Sequence, residues 1–163
     1  MKKLFHFESS RARYICDAAI VWCFDNRFDL AFHKFLRKSG VIFTDPIKIA
    51  GGAKSLASPA NPSDREFVLD QIRASIQLHG TKRVILMAHS DCGAYGGLET
   101  FGDVEKERQH HREELLRAID VLNREIPGLQ IDGYFVDFEG VWEPDLTRHP
   151  RELPAGRSPY RDF

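Results

Sequence analysis

Arg83-Val-Ile-Leu-Met-Ala88 is an almost unbroken apolar run of strand length, and it leads straight into His89-Ser-Asp-Cys-Gly93. A strand with one wet face alternates polar and apolar residues, so a run without alternation is expected in a central strand covered on both faces. Ala18-Ala-Ile-Val-Trp22 repeats the pattern upstream and ends in Cys23-Phe-Asp-Asn-Arg27. Two buried strands thus each carry thiol, carboxyl or imidazole groups at their carboxyl ends.

Between and after these strands the periodicity changes to that of helices. Phe28, Phe32, Phe35 and Leu36 recur at helical spacing up to Gly40, a residue suited to the left-handed conformation that closes a helix. A second strand is expected within Val41 to Ile49, with Pro46 near its start or at an edge. The Gly, Ser, Ala and Pro residues from Ala50 to Pro62 read as a loop, and Ser63-Asp-Arg-Glu66 has the form of a capping box. Val68, Leu69, Ile72 and Ile76 then mark one face of a helix over 64–79, stopped by Gly80. A charged helix over 104–125, with Leu115, Ile119 and Leu122 as its apolar stripe, precedes a last strand around Ile131 to Phe138.

Strand and helix therefore alternate, which predicts an α/β fold: a mostly parallel central sheet of about four to five strands, right-handed crossovers and helices on both faces. Residues 1–142 are expected to form one domain, and 143–163, holding four of the eight prolines, an extended tail.

The 163 residues are 42% hydrophobic, enough for one buried core, and 23 basic against 24 acidic side chains lack the excess that a phosphate backbone attracts. A nucleic-acid partner is not expected. No apolar stretch has the length of a bilayer span or the form of an export signal, so neither a membrane partner nor secretion is expected. Three cysteines without an export signal argue against a disulfide framework and for free thiols in a reducing cytoplasm.

In an open parallel sheet, ligands collect where neighbouring strands send their connections in opposite directions. If the strands ending at Cys23 and His89 are neighbours, Cys23, His89 and Cys92 converge as two thiolates and one imidazole, a ligand set for Zn²⁺. Three protein ligands leave the fourth position to water, whose pKa falls to ~7 from ~15.7 in bulk. Asp25 and Arg27, two apart in an extended segment, project to one side, where the guanidinium can clamp the carboxylate beside the metal. Held so, Asp25 stays ionised and orients the nucleophile; released, it can block the metal.

Cys23-Phe-Asp25-Asn-Arg27 followed by His89-Ser-Asp-Cys92-Gly93 resembles the paired Cys-x-Asp-x-Arg and His-x-x-Cys signature of the β-class carbonic anhydrases. The resemblance runs from Ala18 to Gly140 and takes in the closing Gly133-Tyr-Phe-Val-Asp-Phe-Glu-Gly140 segment. It implies a zinc enzyme for the reversible hydration of carbon dioxide to bicarbonate, assembled as a homodimer or higher homo-oligomer. Where that family usually reads Arg-Asn-Ala-Gly, this chain reads Lys48-Ile-Ala-Gly51, and no glutamine precedes Gln71. Those departures keep two alternatives open: a hydrolase of carbonyl sulfide or carbon disulfide on the same zinc, and a zinc protein without catalysis.

Other candidates read more plainly. Cys16 precedes its strand and is expected to be structural, Ser90 and Asp91 to cap or orient their turn, and His110 and His111 to be solvated. The Glu105 to Glu114 charge run reads as a wet helix face, and Phe24, Phe43 and Tyr95 as ordinary packing.

Overall fold

In the computed structural model residues 1–147 are described. Nine elements follow in order: β1 (Ala18–Cys23), α1 (Asp29–Lys38), β2 (Thr44–Ile49), α2 (Lys54–Ala57), α3 (Pro62–His79), β3 (Arg83–His89), α4 (Val104–Glu125), β4 (Gln130–Val136) and β5 (Val141–Trp142). Two single 3₁₀ turns, Gly93–Tyr95 and Leu98–Thr100, lie between β3 and α4. The strands form one sheet in the order β2-β1-β3-β4-β5, parallel except for β4 with β5.

The apolar runs explain this order. All six residues of β1 and the last six of β3 are buried, as expected of strands covered on both faces. Alternate residues serve two cores. Ala19, Val21, Val84 and Leu86 meet α2, α3 and α4 through Leu56, Val68, Leu69, Ile72, Leu115 and Leu122, while Ile20, Trp22, Ile85 and Met87 meet α1 through Phe32 and Leu36. Right-handed crossovers require this division: β1 to β2 moves one way along the sheet, whereas β2 to β3 and β3 to β4 move the other way. Each fully buried leucine or isoleucine in these layers contributes about 1.5–3 kcal/mol. The boundary between β1 and β3 is consequently the switch point at which a ligand crevice is expected.

Local chemistry moves several expected boundaries. The second strand, Thr44–Ile49, lies within the expected Val41 to Ile49 and begins only at Thr44 because the Asp17 carboxylate takes the backbone N–H groups of Ile42 and Phe43, both at 2.8 Å, away from strand pairing. Pro46 is tolerated within it because β2 is an edge. The cap of α3 is Asn61 with Asp64, not Ser63 with Glu66: Pro62, preset for the first helical position, starts the helix two residues earlier. The loop over 50–62 contains α2, a single turn too short to show a period, and the two-residue β5 was not expected at all.

Of the proline-rich tail, 143–147 lack regular structure and fold back on their own chain. Arg112 donates to the carbonyls of Asp145 at 2.5 Å and Thr147 at 3.0 Å, and Leu146 packs against the core beside Gly133. The remainder, 148–163, lies outside the described residues. Among the described residues no helix is long and apolar enough to cross a membrane.

Candidate metal centre

The sheet brings the three candidate ligands together at the switch point. One ligand atom from each of Cys23, His89 and Cys92 lies within 4.8 Å of the other two, and all three residues are buried. His89 is the last residue of β3, and its Nδ1–H donates to the Ser90 carbonyl at 2.8 Å, which leaves the lone pair on Nε2. That Nε2 is buried with no protein partner, an arrangement that fits a metal ligand whose other nitrogen is held by the backbone. The hydrogen bond between the two thiols lowers Cys23, against the opposing effect of burial, and pushes Cys92 up. Two soft sulfurs and one imidazole fit zinc, and the same set disfavours magnesium or calcium, which take oxygen ligands.

Asp25 and Arg27 are paired as expected, but by a turn rather than by an extended segment. Residues 26–28 form the turn, and Asp25 Oδ1 accepts the Arg27 backbone N–H at 3.0 Å, the bond that closes an Asx turn. The guanidinium then donates to Asp25 from Nε at 3.1 Å and from Nη2 at 2.7 Å. Its remaining edge reaches across to the other motif, donating from Nη1 to Asp91 Oδ2 at 2.9 Å and from Nη2 to the Asp91 carbonyl at 3.0 Å. Arg27 therefore locks the two loops to each other as well as orienting Asp25. The Arg27 side chain holds the Asp25 carboxyl down to about 2, so it is ionised throughout the neutral range.

The turn between His89 and Cys92 is held from several sides. Asp91 has φ 54°, a left-handed conformation that costs a non-glycine residue roughly 1–2 kcal/mol. Its side chain accepts the Leu98 N–H at 3.1 Å, which fits the expected role in orienting the turn. Opposite it, the Gly51-Gly52 pair closes over the ends of β1 and β3, with Gly51 N–H donating to Cys23 Sγ at 3.4 Å. Gly52 has φ 55°, and a Cβ there would lie 2.8–2.9 Å from the Trp22 carbonyl carbon, Cys23 N and Met87 O. These are backbone atoms of packed strands and cannot give way. Gly52→Ala is expected to destabilise the fold by about 3 kcal/mol or more, combining left-handed strain with overpacking. Thermal unfolding of the metal-free protein checks this, and an unchanged midpoint would show that the loop can shift.

The first half of α4 corrects the reading of its charge run. Glu107, His111 and Glu114 are buried at 0%, 0% and 1% exposure, because positions 107, 111, 114 and 118 share the stripe facing the sheet. What they meet there is the polar turn after β3 rather than aliphatic core. Glu114 accepts from Ser58, Tyr95 and Arg117, and Glu107 accepts from Ser90 and from the Asp91 backbone. His111 is not solvated: burial pushes its imidazole down to about 3, so the ring is uncharged at physiological pH and keeps a single N–H. His110 is partly buried, edge-on to the Tyr95 ring and tilted against Phe101. Phe43 packs on Tyr14 at the opposite end of the sheet, Phe24 is exposed, and Cys16 is buried there, away from the other two thiols.

Lys48 and Ile49, the two residues that depart from the family's tetrapeptide, fall on opposite faces of the sheet. Lys48 pairs with Asp29 and sits 4.3 Å from the Trp22 ring centroid, on the α1 side. Ile49, in register with Cys23, lines a cleft of about 380 Å³ with Ala50, Phe67, Val68 and Ala94, largely apolar apart from Lys54, Ser55 and Asp64.

Comparison with known proteins gives a consistent picture. Residues 15–145 match a family model described as "Putative carbonic anhydrase". An uncharacterized protein of Rickettsia bellii is 26% identical over 137 residues, which cover 82% of this chain and 84% of that one. A β-carbonic anhydrase isoform of Trichomonas vaginalis superposes with a TM-score of 0.57 at 14% identity, covering 85% of this chain and 87% of its own. One of two tetrameric β-carbonic anhydrases from Sordaria macrospora superposes at 0.55 and 16% identity, covering 81% and 82%. At those identities the two structures speak for the fold alone.

Proposed function

From the premise that the chain belongs to the carbonic anhydrase family whose model matches residues 15–145, we propose that it is a zinc-dependent carbonic anhydrase of the β class. It would interconvert carbon dioxide and bicarbonate. The observation that carries the reading is the buried convergence of Cys23, His89 and Cys92 beside an Asp25 carboxylate already clamped by Arg27. Zinc, when bound by those three residues, supplies a hydroxide nucleophile near neutral pH.

The chain's own groups do the rest. The Cys23 and Cys92 thiolates would offset the metal's charge, and His89 would present Nε2 with its tautomer set by the Ser90 carbonyl. Asp25 is held by three N–H groups of Arg27, with Nε shared between its two oxygens, so little acceptor capacity is left and a further hydrogen bond can come from few directions. With zinc bound, such a directed acceptor would help aim a nucleophile at the substrate carbon, the kind of orientation that converts binding into rate. The Arg27 side chain holds the Asp25 carboxyl well below the usual carboxylate range, so it would be available as an acceptor throughout the neutral range.

Metal analysis of the purified protein with a stopped-flow carbon dioxide hydration assay tests the proposal. About one zinc per chain with turnover supports it, and a zinc-loaded protein without hydration activity refutes it. A second reading, hydrolysis of carbonyl sulfide or carbon disulfide, is favoured by the apolar cleft beside Ile49, which would suit a substrate with weak hydrogen-bonding demands. Faster turnover of carbonyl sulfide than of carbon dioxide would establish it instead. We further propose a cytoplasmic homo-oligomer. Leu4, Phe5 and Phe7 are 70–87% exposed on the single chain, and a second copy would cover them. Light scattering at the mass of one chain would exclude that assembly.

A further inference from the structure

Glu107 is fully buried at the sheet-facing side of α4, and both of its oxygens are used by the two residues that separate His89 from Cys92. Oε2 accepts the Ser90 hydroxyl at 2.6 Å, and Oε1 accepts the Asp91 backbone N–H at 2.6 Å. Its other polar neighbour is the buried ring of His111, whose Nε2 stands 4.0 Å from Oε1, too far for a hydrogen bond. Glu114, seven residues on, has the Arg117 guanidinium at 2.5 Å; no comparable cation pairs with Glu107 among the described residues. A carboxyl is costly to bury without a cation, so its place here is explained by the two hydrogen bonds it accepts rather than by an ion pair.

Its partners suggest what it does instead. Ser90 accepts the His89 Nδ1–H through its carbonyl, and Asp91 is in the left-handed region. Asp91 also binds Arg27, which holds Asp25. Any slack in the Ser90-Asp91 backbone would therefore tilt the imidazole, displace Cys92 and loosen the carboxylate clamp. The helix that bears Glu107 is fixed to the sheet through Leu115, Ala118 and Leu122, so it offers a rigid support.

The structure assigns Glu107 as the positioning residue of the metal-ligand turn, fixing the separation and aim of His89 and Cys92 from helix α4. This deepens the zinc reading proposed above and rests on it. The group acts by accepting two hydrogen bonds. A glutamine in its place could accept the Asp91 N–H through its oxygen and donate its NH₂ to the Ser90 hydroxyl, which can turn to accept.

Zinc titrations of the full chain against a chromophoric chelator, with thermal midpoints of the metal-free proteins as the folding control, test the assignment. Glu107→Leu is expected to bind zinc about 10–100-fold more weakly, the usual cost of losing an outer support of a metal ligand, beside a modest fall in the metal-free midpoint from the Ser90 hydroxyl and Asp91 N–H it leaves unpaired. Glu107→Gln is expected to recover affinity to within about threefold of the parent, by the geometric argument above. Undiminished affinity in Glu107→Leu, or a Glu107→Gln as weak as Glu107→Leu, overturns the assignment while leaving the zinc reading intact. Should Glu107→Leu not fold, Ser90→Ala removes one of the two bonds and is expected to weaken binding by about 3–10-fold; no change there overturns it too. A parent protein that binds no zinc overturns both readings together.

Discussion

Cys23→Ala is expected to lose bound zinc and, with it, carbon dioxide hydration down to the uncatalysed background. The remaining thiol and imidazole, Cys92 and His89, would hold the metal with two ligands where three converge, and affinity is expected to fall by about 10³ or more. On the proposed mechanism turnover needs the nucleophile that the metal would supply, so the loss of rate should follow the loss of metal in proportion.

The effect can also be read without an activity assay. A metal that binds only the folded chain stabilises it by about 4 kcal/mol when present at a thousandfold excess over its Kd. For a chain of this size that corresponds to a shift of roughly 10 °C in the thermal midpoint. The parent protein should show that zinc-dependent shift, and Cys23→Ala should show almost none. Cys16→Ala serves as the control: that thiol is buried at the other end of β1, where its backbone N–H meets the His79 carbonyl, and it should leave the shift untouched. Equal zinc protection in Cys23→Ala and the parent would remove Cys23 from the centre.

That such a variant can be chosen from sequence reflects where the information lies. β1 and β3 are legible because burial on both faces leaves no room for alternation, and the groups at their ends are legible because nothing else explains polar clusters there. Whether these two strands were neighbours was a condition of the argument, and their parallel pairing meets it. What stayed hidden depends on three dimensions. Glu107, His111 and Glu114 look solvated because a helix rich in charge usually is; only the polar turn packed against α4 gives them reason to point inward. Asp91 has no sequence signal for its second role, since its partner Arg27 lies 64 residues away. The Gly51-Gly52 pair announced a break but not the backbone atoms that Gly52 must pass. A carboxyl on the face of a predicted helix nearest a ligand motif is the signal that could have found Glu107.

Arg27→Ala is expected to retain zinc but lose hydration activity by about 10²–10³, because orientation errors near one ångström cost rates of that order. It removes every side-chain bond to Asp25 at once and also unties Asp91 from the opposite loop. The freed Asp25 should do further harm: a carboxylate no longer occupied by a guanidinium is available to compete for the metal. The sign of the double variant tests this. If release of Asp25 is inhibitory, Asp25→Ala combined with Arg27→Ala should be more active than Arg27→Ala alone, a non-additivity expected only of groups that act on each other. Simple addition of the two losses would mean that Arg27 orients Asp25 without restraining it.

The same clamp has a titration signature. With Arg27 in place the Asp25 carboxyl titrates near 2, below its ordinary 3.8, so the pair's contribution to stability is complete above the ordinary value and is lost as pH falls toward 2. In Arg27→Ala the carboxyl should move back toward about 3.9, and the parent's advantage over the variant should shrink as the solution is acidified through that window. Carboxyl-detected NMR on both proteins reads the shift directly. An Asp25 that titrates alike in parent and variant would show that the guanidinium does not hold it in solution, and the proposed orientation of the nucleophile would lose its support.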